Sequence, residues 1–214
     1  MRPANRDRPN HRSTACCIVS IFVILLALFA APAAANSATY FVSEDGTVLT
    51  ANATLINQST FLLVKPGLLG EEVALSVDNL TIQNESGVVE FTQNGKSVSF
   101  PEGNYTLNYS TKIENGLIYL RYAEPYNVSI YLPEKFQTGH LILGMVGSGG
   151  VISPSDNSSY GSLITFENTT IASLTFYDDV REPLLYLFLG VWGVVFIIAG
   201  LRYIRLKRKP IKDF

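Results

Sequence analysis

The side chains that could perform chemistry are few in this sequence, and they are widely spaced. Between residues 36 and 182 there is one histidine, His140, in the segment QTGHLIL. A catalytic triad would have to use it, and no nucleophile-elbow motif accompanies it. The acidic pairs Glu44-Asp45, Glu71-Glu72 and Asp178-Asp179 lack EF-hand spacing, which favours solvated turns over a weak calcium site. The sequence therefore predicts no catalytic residue, no metal ligand set and no cofactor site.

The glycine-rich segment Gly144 to Tyr160, GMVGSGGVISPSDNSSY, is superficially like a phosphate-binding loop. No lysine follows in the Walker position, and no helical pattern follows that would supply an N-terminal dipole. We interpret this segment as a flexible loop or a bulged strand.

The sharpest chemical pattern is the acceptor sequence for N-glycosylation, Asn-x-Ser/Thr. Nine of the twelve asparagines between residues 36 and 181 satisfy it, whereas the Ser and Thr content would give roughly two or three by chance. The nine are Asn52, Asn57, Asn79, Asn84, Asn104, Asn108, Asn127, Asn157 and Asn168. The set predicts a densely glycosylated surface domain, in which glycans solvate the protein and shield it from proteases.

An apolar run near the C-terminus predicts a transmembrane helix over residues 183–203. The eighteen residues from Leu184 to Leu201 carry no charge, and with their flanks they can cross a hydrocarbon core of about 30 Å. Basic residues crowd the segment that follows, namely Arg202, Arg205, Lys207, Arg208 and Lys209. Because such residues stay in the cytoplasm, we expect residues 204–214 inside and the preceding domain outside.

Three glycines of this run, Gly190, Gly193 and Gly200, fall close to one face of the predicted helix. Small residues allow helices to approach closely in lipid. Ordinary transmembrane glycine use is the alternative interpretation.

Residues 1–35 have the pattern of a secretory signal. Four arginines precede the apolar run Cys16 to Ala31, and an Ala-x-Ala exit ends at Ala35. Cleavage is expected near Ala35–Asn36. The competing interpretation is a retained membrane anchor, in which Cys16 or Cys17 could be palmitoylated. Both interpretations leave residues 36–182 outside and free of cysteine, so this region must be held by its core without disulfides.

The outer region is acidic. Residues 36–181 contain six Lys/Arg and fifteen Asp/Glu, a formal charge of −9, although the whole chain has only −2. This balance argues against a nucleic-acid partner. The partners that we expect are membrane lipid and another membrane or envelope protein.

Apolar and polar residues alternate along much of residues 36–182, as in Tyr105-Leu107-Tyr109 and Val128-Ile130-Leu132, which indicates half-buried strands. Asn94-Gly95 and Asn115-Gly116 predict tight hairpins, and LIYLRY (117–122) predicts a central strand. We predict strands at 39–43, 47–56, 60–64, 79–83, 88–92, 96–100, 104–113, 117–122, 127–132, 141–145, 162–167 and 170–177.

These features predict a mainly β fold, with an antiparallel β-sandwich domain over residues 36–182 and a C-terminal transmembrane helix. A division near Pro101 or Pro133 is the alternative. The tyrosines at 105, 109, 119, 122, 126 and 131 are interpreted as strand-core and strand-rim residues, with a carbohydrate-binding stripe as the second interpretation.

The segment from Asn127 to Lys209 resembles an archaeal membrane-protein family of unknown function. The resemblance is carried by an N-V-x-x-x-L-P strand (127–133), a G-x-x-x-x-G-G loop (144–150), FENTTIASLTFYDD, and a span with a basic end. It implies an archaeal cell envelope as the setting and supplies no catalytic residues. Many members of that family begin with a lipoprotein-type signal, which this sequence lacks.

The function that these observations favour is a non-enzymatic, single-pass surface protein that acts in binding, in envelope assembly or as an accessory subunit. Two alternatives remain open at this point. One is a membrane-tethered hydrolase that uses two carboxylates, which sequence alone cannot pair. The other is a solute-binding or sensory module.

Overall fold

The computed structural model describes residues 35–207, so the predicted signal segment and its two cysteines lie outside the described residues. The described chain is mainly β, as predicted. Its strands are β1 (Ser37–Val42), β2 (Val48–Leu62), β3 (Val64–Pro66), β4 (Glu72–Ala74), β5 (Val77–Asn84), β6 (Gly87–Val88), β7 (Thr92–Asn94), β8 (Ser97–Lys112), β9 (Leu117–Leu132), β10 (Phe136–Gln137), β11 (Gly150–Pro154), β12 (Ser162–Thr175) and β13 (Tyr177–Asp178), followed by helix α1 (Arg181–Lys207).

Nine strands form one sheet in the order β11-β12-β9-β1-β2-β8-β5-β6, with β7 paired to β8. The strand pairs are antiparallel except for β1 with β9, which is parallel. Two small sheets, β3–β4 and β10–β13, lie beside it. The prediction that LIYLRY is a central strand is wrong: residues 117–121 of β9 pair with β12 on one side, whereas β1 pairs only with residues 127–131 of the same strand.

Each long strand buries one face only. In β2, Ala51, Ala53 and Leu55 are buried while Asn52 and Thr54 between them are exposed. Strands β8, β9 and β12 alternate in the same way over most of their length. A sheet with one apolar face needs a second layer to cover it. Here that second layer is the other half of the same sheet.

The two layers arise because the long strands bend. Phe136 follows β9 and Phe176 follows β12, and their ring centroids are 4.9 Å apart. At about 3.3 Å per residue, a straight antiparallel pair of this length would hold them roughly 45 Å apart. Leu49 and Lys65, near the two ends of β2, likewise line one small cavity. The layers of the predicted sandwich are thus continuous. We call the line of bends the crease. The base is the part of the domain where the two ends of the long strands meet.

Aromatic side chains fill the space between the layers. The Phe61 ring of β2 lies 6.1 Å from Tyr122 and 6.3 Å from Tyr126 of β9, centroid to centroid. The Tyr122 hydroxyl donates to the Tyr40 hydroxyl at 2.8 Å. Tyr105, Tyr109, Tyr122 and Tyr126 are buried, whereas Tyr119 and Tyr131 are half-buried. The core-and-rim interpretation of these tyrosines is therefore confirmed. The four buried rings are not available for the alternative, a carbohydrate-binding stripe made of all six.

Several predicted strand boundaries differ from those of the structure. Eight of the predicted strands are the two halves of β2, β8, β9 and β12, because bends separate the alternating runs. The segment 88–92 is strand only at Val88 and Thr92. The strand predicted at 141–145 is wrong: this apolar stretch forms a turn closed by a hydrogen bond from Gly144 N to His140 O. The glycine-rich segment, interpreted above as a flexible loop or a bulged strand, is a strand in part, because Gly150–Pro154 forms β11 and pairs with β12.

The two predicted Asn-Gly hairpins provide a matched test of the packing at the base. Gly95 and Gly116 both have positive φ, 59° and 67°. A Cβ at Gly95 would meet open space, whereas one at Gly116 would overlap the carbonyl oxygen of Phe176. We expect Gly95→Ala to lower the free energy of unfolding by about 1 kcal/mol through the left-handed backbone alone. Gly116→Ala should cost about 3 kcal/mol, because overpacking is added.

Chemical unfolding of the detergent-solubilised protein, followed by near-UV circular dichroism, measures both differences. Equal losses for the two variants would show that the turn at Gly116 is not packed against the end of β12.

Candidate functional site

All nine Asn-x-Ser/Thr asparagines reach the protein surface. Eight are exposed and Asn108 is half-buried. They are spread over β2, β5, β8, β9, β12 and the loop after β11. The predicted glycan sites are therefore accessible, while their occupancy stays a prediction.

The spacing of the acceptor sequence suits a strand with one solvated face. Because side chains alternate across a strand, the asparagine and the hydroxyl residue two positions later point the same way. Asn52 with Thr54 and Asn127 with Ser129 lie in this manner on the outward face. The registers join such residues into a polar row across six strands, Thr165-Ser129-Thr39-Asn52-Asn108-Thr81.

Four of the nine asparagines lie at the crease, where they also hold the backbone. In β2, Asn57 adopts a left-handed conformation with φ of 54°, which asparagine tolerates better than most residues. The pairing of β2 with β8 shifts register on both sides of Gln58. Across this bulge, the backbone N–H of Asn57 donates to the side-chain Oδ1 of Asn104 on β8 at 2.8 Å.

The second bent pair repeats this arrangement. Asn168 of β12 has φ of 49°, and its backbone N–H donates to Oδ1 of Asn127 on β9 at 3.0 Å. The register of β12 with β9 shifts on both sides of Thr169. We call the two contacts, Asn57–Asn104 and Asn127–Asn168, the asparagine clamps.

In each clamp, the strand that carries the acceptor asparagine also contains a proline a few residues earlier. Pro101 lies three residues before Asn104, and Pro125 lies two residues before Asn127. Both fall where backbone pairing is interrupted, so the missing proline N–H leaves no ladder bond unmade. Pro101, considered above as a domain boundary, lies inside the continuous strand β8.

The clamps are chemically compatible with glycosylation. A glycan is attached through Nδ2 of asparagine, whereas the clamps use Oδ1 of Asn104 and Asn127 as the acceptor. Asn52 differs, because its Nδ2 donates to Oδ1 of Asn108 at 2.7 Å. These two residues lie directly opposite each other on β2 and β8, so sugars on both would be crowded.

A partly buried polar contact joins two strands at the inner side of the crease. Gln58 points inward and donates from Nε2 to the Glu124 carboxylate at 2.6 Å, which ties β2 to β9. Deeper in the core, burial raises the pKa of Tyr40, Tyr109 and Tyr122 well above the usual value, and the neighbouring tyrosines raise it further. These phenols are therefore neutral groups that join the two layers.

The residues considered for chemistry are not brought together. His140 Nδ1 accepts the backbone N–H groups of Ile142 and Leu143 at 3.2 and 3.3 Å, within its own turn. Hydrogen bonds from Ser43 and Thr47 lower the pKa of the Asp45 carboxyl to about 2.

The other acidic pairs have local partners too. Glu72 is paired with Arg121. A hydrogen bond between the carboxyls of Asp178 and Asp179 lowers the pKa of the first and raises that of the second. Within residues 35–207, no three His, Cys, Asp or Glu side chains assemble into a metal-ligand cluster. The expected absence of a metal and of a cofactor stays a prediction.

An open cleft of about 480 Å³ lies where β9 ends and β12 begins, and the sequence did not reveal it. Glu134, Gln137 and Tyr160 are among its lining residues, with the hydroxyls of Ser158 and Ser162. On one side, Tyr160 joins Phe41 and Tyr131 in a cluster whose ring centroids are 5.0–5.7 Å apart. Tyr160 is the last residue of the glycine-rich segment, far in sequence from Phe41 and Tyr131, so only tertiary folding brings the three rings together.

Helix α1 is long and apolar enough to cross a membrane from Arg181 to Arg205, and it is the one such helix within residues 35–207. No Cβ placed at Gly190, Gly193 or Gly200 would meet another atom within 4 Å. Their proposed role in helix packing stays a prediction. Arg202, Arg205 and Lys207 lie on α1, whereas Arg208 and Lys209 fall outside the described residues.

Two substitutions separate the structural and the glycan-bearing roles of Asn104. Asn104→Ala removes both the acceptor sequence and the clamp, whereas Thr106→Val removes the acceptor sequence alone. In protein from a host that does not glycosylate, we expect Asn104→Ala to lower the free energy of unfolding by about 1 kcal/mol, the net contribution of one hydrogen bond. Thr106→Val should stay within about 0.5 kcal/mol of the parent. Denaturant titration measures both, and equal stability of the two variants would contradict the clamp.

Comparisons with known proteins assign this chain to no family. A scan against protein-family models finds no match to the chain, and a search of the curated proteins finds none either. The resemblance to an archaeal membrane-protein family therefore stays a prediction.

Proposed function

We propose that this chain is a single-pass cell-surface protein whose β domain stands outside the membrane, carries N-linked glycans and acts without catalysing a reaction. Its role is binding, envelope assembly or support of another membrane protein as an accessory subunit. The observation that carries the proposal is the surface position of all nine acceptor asparagines, on a domain followed directly by a membrane-length helix.

The charge distribution supports the proposed orientation. Arg202, Arg205 and Lys207 lie in the last two turns of α1, at the end away from the β domain. Basic residues at one end of a span remain in the cytoplasm. The acidic β domain, with its formal charge of −9, then lies on the outer side, where glycosylation takes place. An archaeal cell envelope is the setting that the resemblance over residues 127–209 favours.

The local contacts of the acidic side chains support a non-enzymatic role over the hydrolase alternative. A glycosidase needs two carboxylates facing one another across the substrate. Glu134 is the one carboxylate among the residues that line the open cleft. The acidic pairs at 44–45, 71–72 and 178–179 lie in turns or strand ends, each with its own local partners.

Purification from native membranes after light crosslinking tests the proposal. We expect several of the nine asparagines to carry glycans, so enzymatic or chemical deglycosylation should increase gel mobility. Thr106→Val should lose the glycan at Asn104 alone. A stoichiometric membrane protein in the crosslinked product would identify an accessory subunit, whereas recovery of the chain alone would favour a coat or an outward-facing binder. Unchanged mobility on deglycosylation would contradict the glycosylated surface.

The cleft favours one second candidate, a solute-binding module for a neutral sugar. An aromatic ring beside hydroxyl, amide and single-carboxylate groups is the lining that a sugar ring requires, since it offers one apolar face and several hydroxyls. Its volume of about 480 Å³ lies within the usual range for small-ligand sites.

A glycan-binding screen with the full chain in nanodiscs tests this candidate. We expect Tyr160→Ala to weaken binding about fivefold, because ring stacking contributes about 1 kcal/mol. Tyr119 is half-buried and does not line the cleft. The Tyr119→Ala variant should therefore bind the glycan as tightly as the parent protein does. Equal loss in both variants would indicate unfolding, and no loss in either would remove the cleft as the site.

A further inference from the structure

The segment from Gly139 to Val146, which we call the basal loop, exposes a set of large apolar side chains. Leu141, Ile142 and Met145 are 89%, 68% and 61% exposed. The thirteen residues from Thr138 to Gly150 include no Asp, Glu, Lys or Arg. Soluble proteins rarely leave such side chains together in water, so a contiguous set marks an interaction surface.

The exposure is built into an ordered turn. Gly144 N donates to His140 O at 3.0 Å, and the His140 ring accepts two further backbone N–H groups of the turn. On its far side the loop is fastened to the end of β12, because Thr175 N donates to Met145 O at 2.8 Å. The apolar side chains are thus held outward by hydrogen bonds to the rest of the domain.

The basal loop lies beside the first turns of α1. The His140 ring centroid is 6.2 Å from that of Tyr177 and 6.5 Å from that of Tyr186. Tyr186 is five residues after the start of α1, which is about 7.5 Å along the helix axis, and it falls within the uncharged run that begins at Leu184. The loop therefore meets the apolar run of the helix where His140 contacts Tyr186.

We infer that the basal loop is a second membrane contact, with Leu141, Ile142 and Met145 seated in the interfacial region of the bilayer next to α1. The inference rests on the proposed membrane span. Tyr177 and Tyr186 flank the loop, and tyrosine rings favour the level where apolar chains meet water. The charged residues Arg181 and Glu182 lie at the first turn of α1, where head groups can solvate them.

A loop anchored in this way would restrict the orientation of the domain. A single helix leaves a domain free to tilt and rotate about its connection, whereas a second contact removes that freedom. The outward face with its acceptor asparagines would then keep a fixed angle to the membrane.

Tryptophan fluorescence in vesicles that contain brominated lipids tests the inference, because bromine quenches only nearby rings. Trp192, on α1, is the single tryptophan of the chain, so the parent protein reports on the helix. A Trp192→Phe background that carries Ile142→Trp reports on the loop. We expect the loss of Ile142→Trp fluorescence to be greatest with bromines near the head groups, and that of Trp192 with bromines deeper in the acyl chains.

The matched control is Val88→Trp in the same background. Val88 is 72% exposed and pairs with Gln83, which lies opposite Thr106 near the crease. The fluorescence of Val88→Trp should be quenched by aqueous acrylamide and not by brominated lipid. Leu141→Trp is a second loop probe should the first variant fold poorly.

The outcomes test the membrane contact of the loop and the membrane span of α1 separately. Quenching of Trp192 without quenching of either loop probe overturns the basal loop as a membrane contact and leaves the span intact. Loop probes shielded from both lipid and acrylamide would mean that a protein, either a partner or a second copy, covers the loop, and this also overturns the inference. No lipid quenching of Trp192 would overturn the span and the loop contact together.

Discussion

Each long strand of this protein has one apolar face, and the structure keeps that face from water by bending the strand over itself. The bends cannot form in regular β backbone, since an unbroken ladder of hydrogen bonds keeps paired strands extended. They depend on left-handed residues at Asn57 and Asn168, each bonded to an asparagine on the neighbouring strand. The bends in turn bring the buried aromatic rings of β2 and β9 together and let the ends of β9 and β12 meet at the base.

The structural role of the asparagines at the crease does not conflict with the proposed glycosylation. Their backbone and Oδ1 atoms shape the fold, while Nδ2 of Asn104 and Asn127 is left for a sugar. Serine or threonine two residues later falls on the same side of the strand, so the acceptor pattern and the solvated face of a sheet have the same period. Because asparagine is otherwise disfavoured in strands, the proposed glycan sites explain its excess, and the clamps explain only four of the nine positions.

Hydrophobic patterns within short segments of the sequence predicted the secondary-structure elements that those segments form. The sequence located the long strands of the main sheet but not the short strands β3, β4, β10 and β11, and the uncharged run located α1. Alternation fails at residues 56–59 of β2, where the bulge moves Gln58 to the inside, so the two halves read as separate strands. Leu141 to Leu143 read as a strand because they are apolar, although they have no partner strand. The cleft at Tyr160 requires β1, β9 and the loop before β12 to meet, which no single segment encodes.

Few backbone pairs hold the strand that connects α1 to the β domain. The helix is joined to β13, which pairs with β10 through only two residues, whereas β12 pairs with β9 through eleven. A force applied to α1 by a moving membrane or a pulling partner would load the two-residue pair first. This two-residue pair would therefore open before any of the eleven residue pairs between β12 and β9.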